Sequence, residues 1–244
     1  MTAKLFAMWV PRRYSTNIKN QFKVALITLV ALFILLPNAH AAFLVGTSPL
    51  ANSQTIFATL PTGAPAGTLQ ATLSTPYLFS TTAGTTSGTL LSAVYLNTTG
   101  TLDFYYQVAN SGNSATAIAR ETDTSFAGFA TQVGFRIDGA SLPNTIFANG
   151  TVAPITIDKN AAGSVVGFSF NPPDSAKILT GTTSNVLVIS TLATTFITGN
   201  ASVIDGGTQT VAAFQPSAVP EPASFALFGG GLLAIGLVRR YRRQ

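Results

Sequence analysis

Residues 102–110 read LDFYYQVAN, and this stretch decides the fold class. In an extended chain, alternate residues fall on opposite faces, here Leu102, Phe104, Tyr106 and Val108 against Asp103, Tyr105, Gln107 and Ala109. The first set is entirely apolar or aromatic, and such a period of two is typical of a β-strand with one face on a core. We therefore predict a strand whose core face includes Phe104 and Tyr106.

Further segments on both sides of this strand have a similar composition: 90–96, 131–137, 164–170, 185–191, 196–204 and 208–214. Turn-forming sequences separate several of them, at 138–139, 149–150, 158–163, 181–184 and 205–207. No long stretch spaces its apolar residues as a helix would. The pattern predicts an all-β domain, an antiparallel β-sandwich, over residues 90–217.

Residues 42–89 form a part of the chain that is richer in Thr, Ser, Gly and Pro. Two clusters of turn-forming residues, 61–65 and 80–88, interrupt it. We predict edge strands joined by long loops in this part.

Charge is distributed unevenly along the 244 residues. Nine of the 13 Lys and Arg residues lie before residue 24 or after residue 238, so four basic and eight acidic residues remain between, a formal charge of −4. A nucleic-acid-binding domain needs clustered Lys and Arg. We expect no nucleic-acid partner.

Several chemically versatile residue types are missing from the predicted domain. The chain has no Cys, and its only His and only Trp, His40 and Trp9, lie near the N-terminus. A zinc site of the usual ligands, a Ser-His-Asp triad and a thiolate nucleophile are therefore excluded. We expect no cofactor and no enzymatic activity.

The N-terminal segment has the three parts of a secretory signal peptide. Five basic residues precede residues 24–36, VALITLVALFILL, which carry no charge. As a helix these 13 residues span about 20 Å, less than the roughly 30 Å hydrocarbon core of a bilayer. Ala39 and Ala41 occupy the positions that signal peptidase reads, so we predict a signal peptide over residues 1–41 with Ala42 as the new N-terminus.

Two alternatives apply to this segment. An uncleaved membrane anchor is disfavoured by the Ala-x-Ala site. Arg12-Arg13 suggests twin-arginine export, but the residues after it match that signal poorly. We predict export by the general secretion machinery.

The C-terminal segment also has three parts. Pro220-Glu221-Pro222 is followed by the uncharged residues 223–238 and then by four arginines, Arg239, Arg240, Arg242 and Arg243. Residues 223–238 predict a single transmembrane helix, about 24 Å long and weakened by Gly229, Gly230 and Gly231. The arginines are topogenic and stay on the cytoplasmic side, which places residues 42–222 outside. An ordinary tail anchor after a Pro-rich linker would have a similar composition.

The segment VPEPAS, the GGGLLAIG core and RRYRR together resemble the PEP-CTERM sorting signal, over residues 218–244. That resemblance implies recognition of Pro220, Glu221 and Pro222 by exosortase, a membrane-embedded transpeptidase of Gram-negative bacteria that make exopolysaccharide. It also implies a transient stay in the inner membrane, followed by release to or attachment at the cell surface. The sequences ARETDTSFAGF (119–129) and SVIDGG (202–207) resemble ectodomains of such proteins more loosely, without implying an activity.

The acidic residues are the main candidates for chemistry in the exported part. Residues 121–125, ETDTS, place oxygens at alternate positions as a calcium loop does, but Phe126 and Gln132 replace the Gly and Glu of an EF-hand. A looser calcium site and a solvated loop paired with Arg120 remain as alternatives. Paired carboxylates would serve a glycosidase, although Asp138, Asp158, Asp174 and Asp205 have turn-like neighbours.

Tyr95, Tyr105 and Tyr106 are candidates for an aromatic platform that stacks on sugars, with strand packing as the more common role of such residues. Asn97, Asn149 and Asn200 begin glycosylation acceptor sequences. Our leading hypothesis is an exosortase-processed surface or matrix protein with a non-catalytic structural or adhesive role near exopolysaccharide. A polysaccharide-binding module is the alternative, and a glycan-active hydrolase comes third.

Overall fold

Eleven β-strands and two 3-10 helices make up the part of the chain that the computed structural model describes, residues 49–58 and 67–217. The strands are β1 (Thr55–Phe57), β2 (Thr68–Thr81), β3 (Gly84–Leu96), β4 (Leu102–Asn110), β5 (Arg120–Asp123), β6 (Thr131–Arg136), β7 (Thr156–Lys159), β8 (Val166–Ser169), β9 (Val186–Thr191), β10 (Phe196–Ile204) and β11 (Thr208–Pro216). The 3-10 helices are Gly139–Ser141 and Asp174–Ala176. The fold class is therefore all-β, as predicted.

The strands form two antiparallel sheets. Sheet A has six strands in the order β1-β7-β8-β5-β10-β11, and sheet B has five in the order β2-β3-β4-β9-β6. Side chains from both sheets belong to one apolar cluster, among them Phe104 and Val94 from sheet B and Phe168 and Val203 from sheet A. The two sheets thus share a core.

The predicted strand 102–110 is β4, at the centre of sheet B. It pairs with β3 along its whole length and with β9 from Asp103 to Tyr106. Leu102, Phe104, Tyr106 and Val108 all lie in the shared core, so the predicted core face is confirmed.

The opposite face of sheet B is also buried, which the alternating pattern did not predict. Residues 138–149, here called the strap, cover it with Leu142 and Phe147, which pack with Tyr95, Tyr105 and Val188 in a second apolar cluster. The Gln107 side chain donates to the Ala148 carbonyl (2.8 Å) and accepts from the Ala148 N–H (3.0 Å). This reciprocal pair fixes the strap to β4.

The seven predicted strand segments are all confirmed as strands, β3, β4, β6, β8, β9, β10 and β11. The prediction of a long loop over 80–88 was wrong, because β2 and β3 continue through it as a hairpin with only two residues between them. β2 and β1 are edge strands, as expected. Short β5 and β7 were not predicted, and Asp158, assigned to a turn, lies within β7.

Candidate functional site

Glu121 and Asp123 form the most unusual chemical feature of the described residues. They lie two apart on β5 and so point to the same face of sheet A. Their cross-strand partners are Phe168 and Val203 for Glu121, and Val166 and Ala201 for Asp123. All four partners belong to the shared core, so both carboxyl groups lie among apolar side chains, 0% and 1% exposed.

Burial raises the pKa of both groups strongly, to about 8 for Glu121. Among the described residues, neither carboxyl has an ion-pair partner, and none of the four carboxyl oxygens has a hydrogen-bond partner. Ionising either one without a cation would cost far more than keeping its proton. We call the pair the carboxylic acid dyad: burial keeps both groups protonated at neutral pH, and the Tyr106 hydroxyl lies nearby.

This geometry overturns the solvated-loop interpretation of residues 121–125. Glu121 and Asp123 are strand residues, and Arg120 pairs instead with Asp158. Within residues 49–58 and 67–217, no three His, Cys, Asp or Glu residues lie together as metal ligands would. Among these residues, a calcium ion at this position would therefore meet two protonated acids and no third acidic ligand.

Arg120 reaches Asp158 by crossing the outer face of sheet A. Its guanidinium bonds both carboxylate oxygens, at 2.6 and 2.9 Å, from two strands away. The path runs over Gly167 of β8, where a Cβ atom would lie 1.9 Å from the Arg120 Nη2 atom. Glycine at 167 is what leaves room for the ion pair.

The remaining turn-like acids are also engaged in ion pairs. Arg136 binds Asp138 through two bonds of 2.8 and 2.9 Å, which lowers the pKa of Asp138. Lys177 pairs with both Asp174 (3.1 Å) and Asp205 (3.0 Å). These carboxylates stabilise turns and strand ends, which weakens the glycosidase interpretation.

Asp103 lies in a buried polar network on the strap side of sheet B. It accepts hydrogen bonds from Asn97 Nδ2 (3.2 Å) and from the hydroxyl of Ser190. Burial raises the pKa of Asp103 to about 6, and these two hydrogen bonds oppose the rise. Sequence reasoning missed this network because Ser190 lies 87 residues from Asp103 along the chain and meets it only through the pairing of β4 with β9.

The three candidate tyrosines are not available to a ligand. Tyr95, Tyr105 and Tyr106 are all 0% exposed. The Tyr95 and Tyr106 hydroxyls donate to the carbonyls of Pro143 (3.1 Å) and Phe214 (2.6 Å). Strand packing is thus confirmed as their role, and the aromatic platform was wrong.

The three glycosylation acceptor sequences differ in accessibility. Asn149 and Asn200 are exposed. Asn97 is buried, and its Nδ2 atom donates to both Thr101 Oγ1 (2.8 Å) and Asp103. Asn97 is therefore not a glycan acceptor in the folded domain.

An open pocket of about 600 Å³ lies where β5 and β11 end and where β8 and β10 begin. Its lining residues are uncharged: Thr124, Ser125, Ala127, Phe129, Ser164, Val165, Ile197, Gln215, Pro216 and Ser217. Lys159 donates from Nζ to the Phe129 carbonyl (3.0 Å) and holds one wall in place. We call this region the exit end of the domain, since Ser217 is its last described residue.

Ser217 itself is fixed to the domain by two hydrogen bonds. Its N–H donates to the Thr195 carbonyl (3.0 Å), and the Thr195 hydroxyl donates to the Ser217 carbonyl (3.0 Å). The chain is therefore held in place up to residue 217, immediately before the predicted sorting signal.

The residues predicted to act in sorting all lie outside the described part of the chain. They are Ala39, Ala41 and Ala42 at the signal-peptide cleavage site, Pro220, Glu221 and Pro222 of the sorting motif, and Arg239, Arg240, Arg242 and Arg243. The predicted membrane helix 223–238 lies there too. Within residues 49–58 and 67–217, no helix has the length and apolar character that crossing a membrane requires.

The described residues form an all-β domain that extends to Ser217, and the recognisable signal of the chain lies in the segment after it. Residues 218–243 match the family model of the PEP-CTERM protein-sorting motif. The chain thus carries a PEP-CTERM protein-sorting motif at residues 218–243, and this motif implies export and targeting to exosortase. Neither the curated proteins nor the solved structures contain a match to it.

Proposed function

We propose that this chain is an exosortase-processed surface or extracellular-matrix protein, and that its all-β domain has a non-catalytic structural or adhesive role in an exopolysaccharide-associated layer. The signal peptide leaves after Ala41, and the 223–238 helix holds an intermediate in the inner membrane. Exosortase then acts at Pro220-Glu221-Pro222. The two sheets are a β-sandwich that forms the mature protein.

The match of residues 218–243 to the sorting motif is the observation that carries this proposal. Two prolines around Glu221 favour an extended backbone, because each fixes its own φ and disfavours the helical region for the residue before it. An extended segment fits the binding cleft of a processing enzyme. The apolar residues and arginines that follow supply the membrane hold and the orientation.

The state of the carboxyl groups supports a non-catalytic role. A glycosidase needs one ionised and one protonated carboxyl group that both reach the substrate. Here the dyad is closed inside the core, and Asp138, Asp158, Asp174 and Asp205 are bound to Arg or Lys. These carboxyl groups are thus enclosed in the core or held in ion pairs, as we expect for a non-catalytic domain.

The sorting step is tested by replacing Pro220, Glu221 and Pro222 together with Ala in the full-length precursor. We expect the precursor to accumulate in the inner membrane, while the unchanged protein gives a mature form that begins at Ala42 and ends near Pro220 by mass spectrometry. The matched control replaces Pro61 and Pro65, prolines of another Pro-rich segment. Unchanged surface display of the triple variant would show a plain tail anchor.

The role of the domain is tested with the processed protein and the exopolysaccharide of its host. A structural or adhesive protein retains the layer's cohesion and releases no sugar products. Tight binding to one glycan on an array would favour the polysaccharide-binding alternative. Release of oligosaccharides would favour the hydrolase.

A further inference from the structure

The folded domain and the sorting motif are separated by almost no linker. Ser217 is held by its two hydrogen bonds to Thr195, and the matched motif begins at residue 218. Only Ala218 and Val219 stand between this fixed point and Pro220. The motif must therefore stay close in space to the surface of the domain.

The length of the chain sets how close the processing enzyme must come. At about 3.6 Å per fully extended residue, Pro220 lies within about 11 Å of Ser217 and Pro222 within about 18 Å. A specific interface covers about 800 Å² on each partner, which corresponds to a patch roughly 30 Å across. An enzyme bound to Pro220-Glu221-Pro222 therefore extends over the exit end of the domain.

The surface at the exit end suits a contact of this kind. The pocket has a volume of about 600 Å³ and no charged lining residue. Ile197 lines it with an apolar side chain that is 49% exposed, and Thr124, Ser125 and Gln215 add hydroxyl and amide groups. A partner can fill this surface without leaving a charge buried and unpaired.

We propose that the exit-end pocket is a docking surface for exosortase, which the enzyme contacts while it binds the sorting motif. This inference rests on the proposed processing by exosortase. Docking positions the extended motif, because a domain fixed against the enzyme limits where residues 218–222 can go. The domain thereby takes part in its own sorting.

Site-specific photocrosslinking in the full-length precursor tests the contact directly, in cells that contain exosortase. One photoreactive residue replaces Ala127, which is exposed and lines the pocket, and a control replaces Ala140, which is also exposed. Ala140 adjoins Gly139, which packs against Val186, at the end of β9 away from Thr191 and the exit end. We expect an adduct with exosortase, identified by mass spectrometry, from position 127 only.

A pair of charge-introducing substitutions measures the consequence for processing. Ile197→Asp alters the pocket, and Leu179→Asp makes the same chemical change at a residue with the same 49% exposure near the opposite end of the domain. We expect Ile197→Asp to slow conversion of precursor to mature protein by about fivefold or more, as loss of one well-placed interface side chain does. Leu179→Asp should convert at the normal rate, and limited proteolysis of both precursors checks that both are folded.

The outcomes separate this inference from the proposed function. If the Ala triple variant at 220–222 blocks processing but neither the position-127 adduct nor the slow conversion of Ile197→Asp is found, the docking surface is overturned and exosortase processing stands. An adduct of position 127 with phospholipid alone would make the exit end a lipid-facing surface and would equally overturn it. If the triple variant is processed normally, the proposed processing by exosortase is refuted, and the docking surface that rests on it is refuted as well.

Discussion

At the level of single residues, Glu121 and Asp123 carry the least expected property of the domain. Ordinary surface acids stabilise a fold at neutral pH when they are paired with a cation, but these two are enclosed by Phe168, Val166 and Val203. The Arg120 cation lowers the pKa of Glu121 only in part, and burial dominates. The core therefore depends on the protons of the dyad.

This dependence predicts a domain that becomes less stable as the pH rises. The unfolded chain releases these protons near the ordinary values of 4.5 and 3.8, whereas folded Glu121 keeps its proton to about pH 8. Between those limits the unfolded state binds fewer protons, so the free energy of unfolding falls with increasing pH. Asp103, with its pKa raised to about 6, adds a decrease of the same sign in the lower part of the range.

Denaturation of the processed protein at a series of pH values measures the effect. We expect the double variant Glu121→Gln, Asp123→Asn to lose the decrease between about pH 6 and pH 8 and to keep the part due to Asp103 below about pH 6. Asp174→Asn, at a side chain 84% exposed, is the control and should follow the unchanged protein. Parallel curves for the double variant and the unchanged protein would refute a buried, protonated dyad.

Gly167 provides a second test at this scale. Gly167→Ala places a methyl group where the Arg120 guanidinium lies, 1.9 Å from Nη2, and should displace Arg120 from Asp158. We expect a loss of about 1 kcal/mol or less in the free energy of unfolding by chemical denaturation, because the Arg120 side chain can move aside and the ion pair that it loses is partly exposed.

The control for this variant is Gly112→Ala, because no atom lies within 4 Å of the added Cβ at Gly112. Asp158→Asn should lower the free energy of unfolding by less in the Gly167→Ala variant than in the unchanged protein, since the ion pair is already lost in that variant. If Asp158→Asn lowers the free energy of unfolding equally in both proteins, Arg120 still pairs with Asp158 in the Gly167→Ala variant.

At the level of elements, the strap gives sheet B a second buried face. Phe147 is 5% exposed and packs on Tyr105, with ring centroids 6.4 Å apart. Phe147→Ala should lower the free energy of unfolding by about 3 kcal/mol, near the lower end for a buried Phe, because the strap can partly close the gap. A non-specific protease should then cut within residues 138–149 faster than in the unchanged protein.

Phe57→Ala is the matched control for Phe147→Ala, since it removes the same side chain at a position that is 74% exposed. Its stability should change by less than about 0.5 kcal/mol. Equal stability of both variants would mean that the strap does not contribute to the fold.

The strands that could be predicted from the sequence have a clear local pattern, whereas a strand that was missed buries polar side chains through tertiary packing. β4 and β10 have the predicted bounds, because their apolar residues alternate or are bounded by clear turns. β5 reads RETD, and nothing in a local pattern shows that its two acids are buried and protonated by tertiary packing. β2 contains Pro76, which a central strand would exclude but an edge strand tolerates.

The candidate sites show the same limit. The sorting motif is a short contiguous segment, so Pro220, Glu221 and Pro222 could be identified from the sequence. The exit-end pocket joins residues from 124 to 217, and the dyad acquires its chemistry from β8 and β10. Only the register between strands brings these groups together, and register is set by tertiary packing.

At the level of the whole molecule, the described domain extends to Ser217, and the matched sorting motif begins at the next residue. β11 ends at Pro216, Tyr106 donates to the Phe214 carbonyl, and Ser217 is bound to Thr195. Within the described residues, the hydrogen bonds at this end of sheet A extend to Ser217. We expect that folding does not require the sorting segment and that sorting requires both the domain and this segment.

This division predicts the behaviour of a chain that ends at Ser217. Removal of residues 218–244 leaves the bonds of Tyr106 and Thr195 intact, so the shortened protein should be exported, fold, and unfold at the same denaturant concentration as the processed protein. It should collect in the periplasm rather than in the surface layer, as cell fractionation would measure. A chain that ends at Ala213 is the control, since it also loses the Phe214 carbonyl and the Ser217 bonds and should be destabilised. Surface display of the chain ending at Ser217 would contradict sorting by the tail, because the domain alone would then reach the surface.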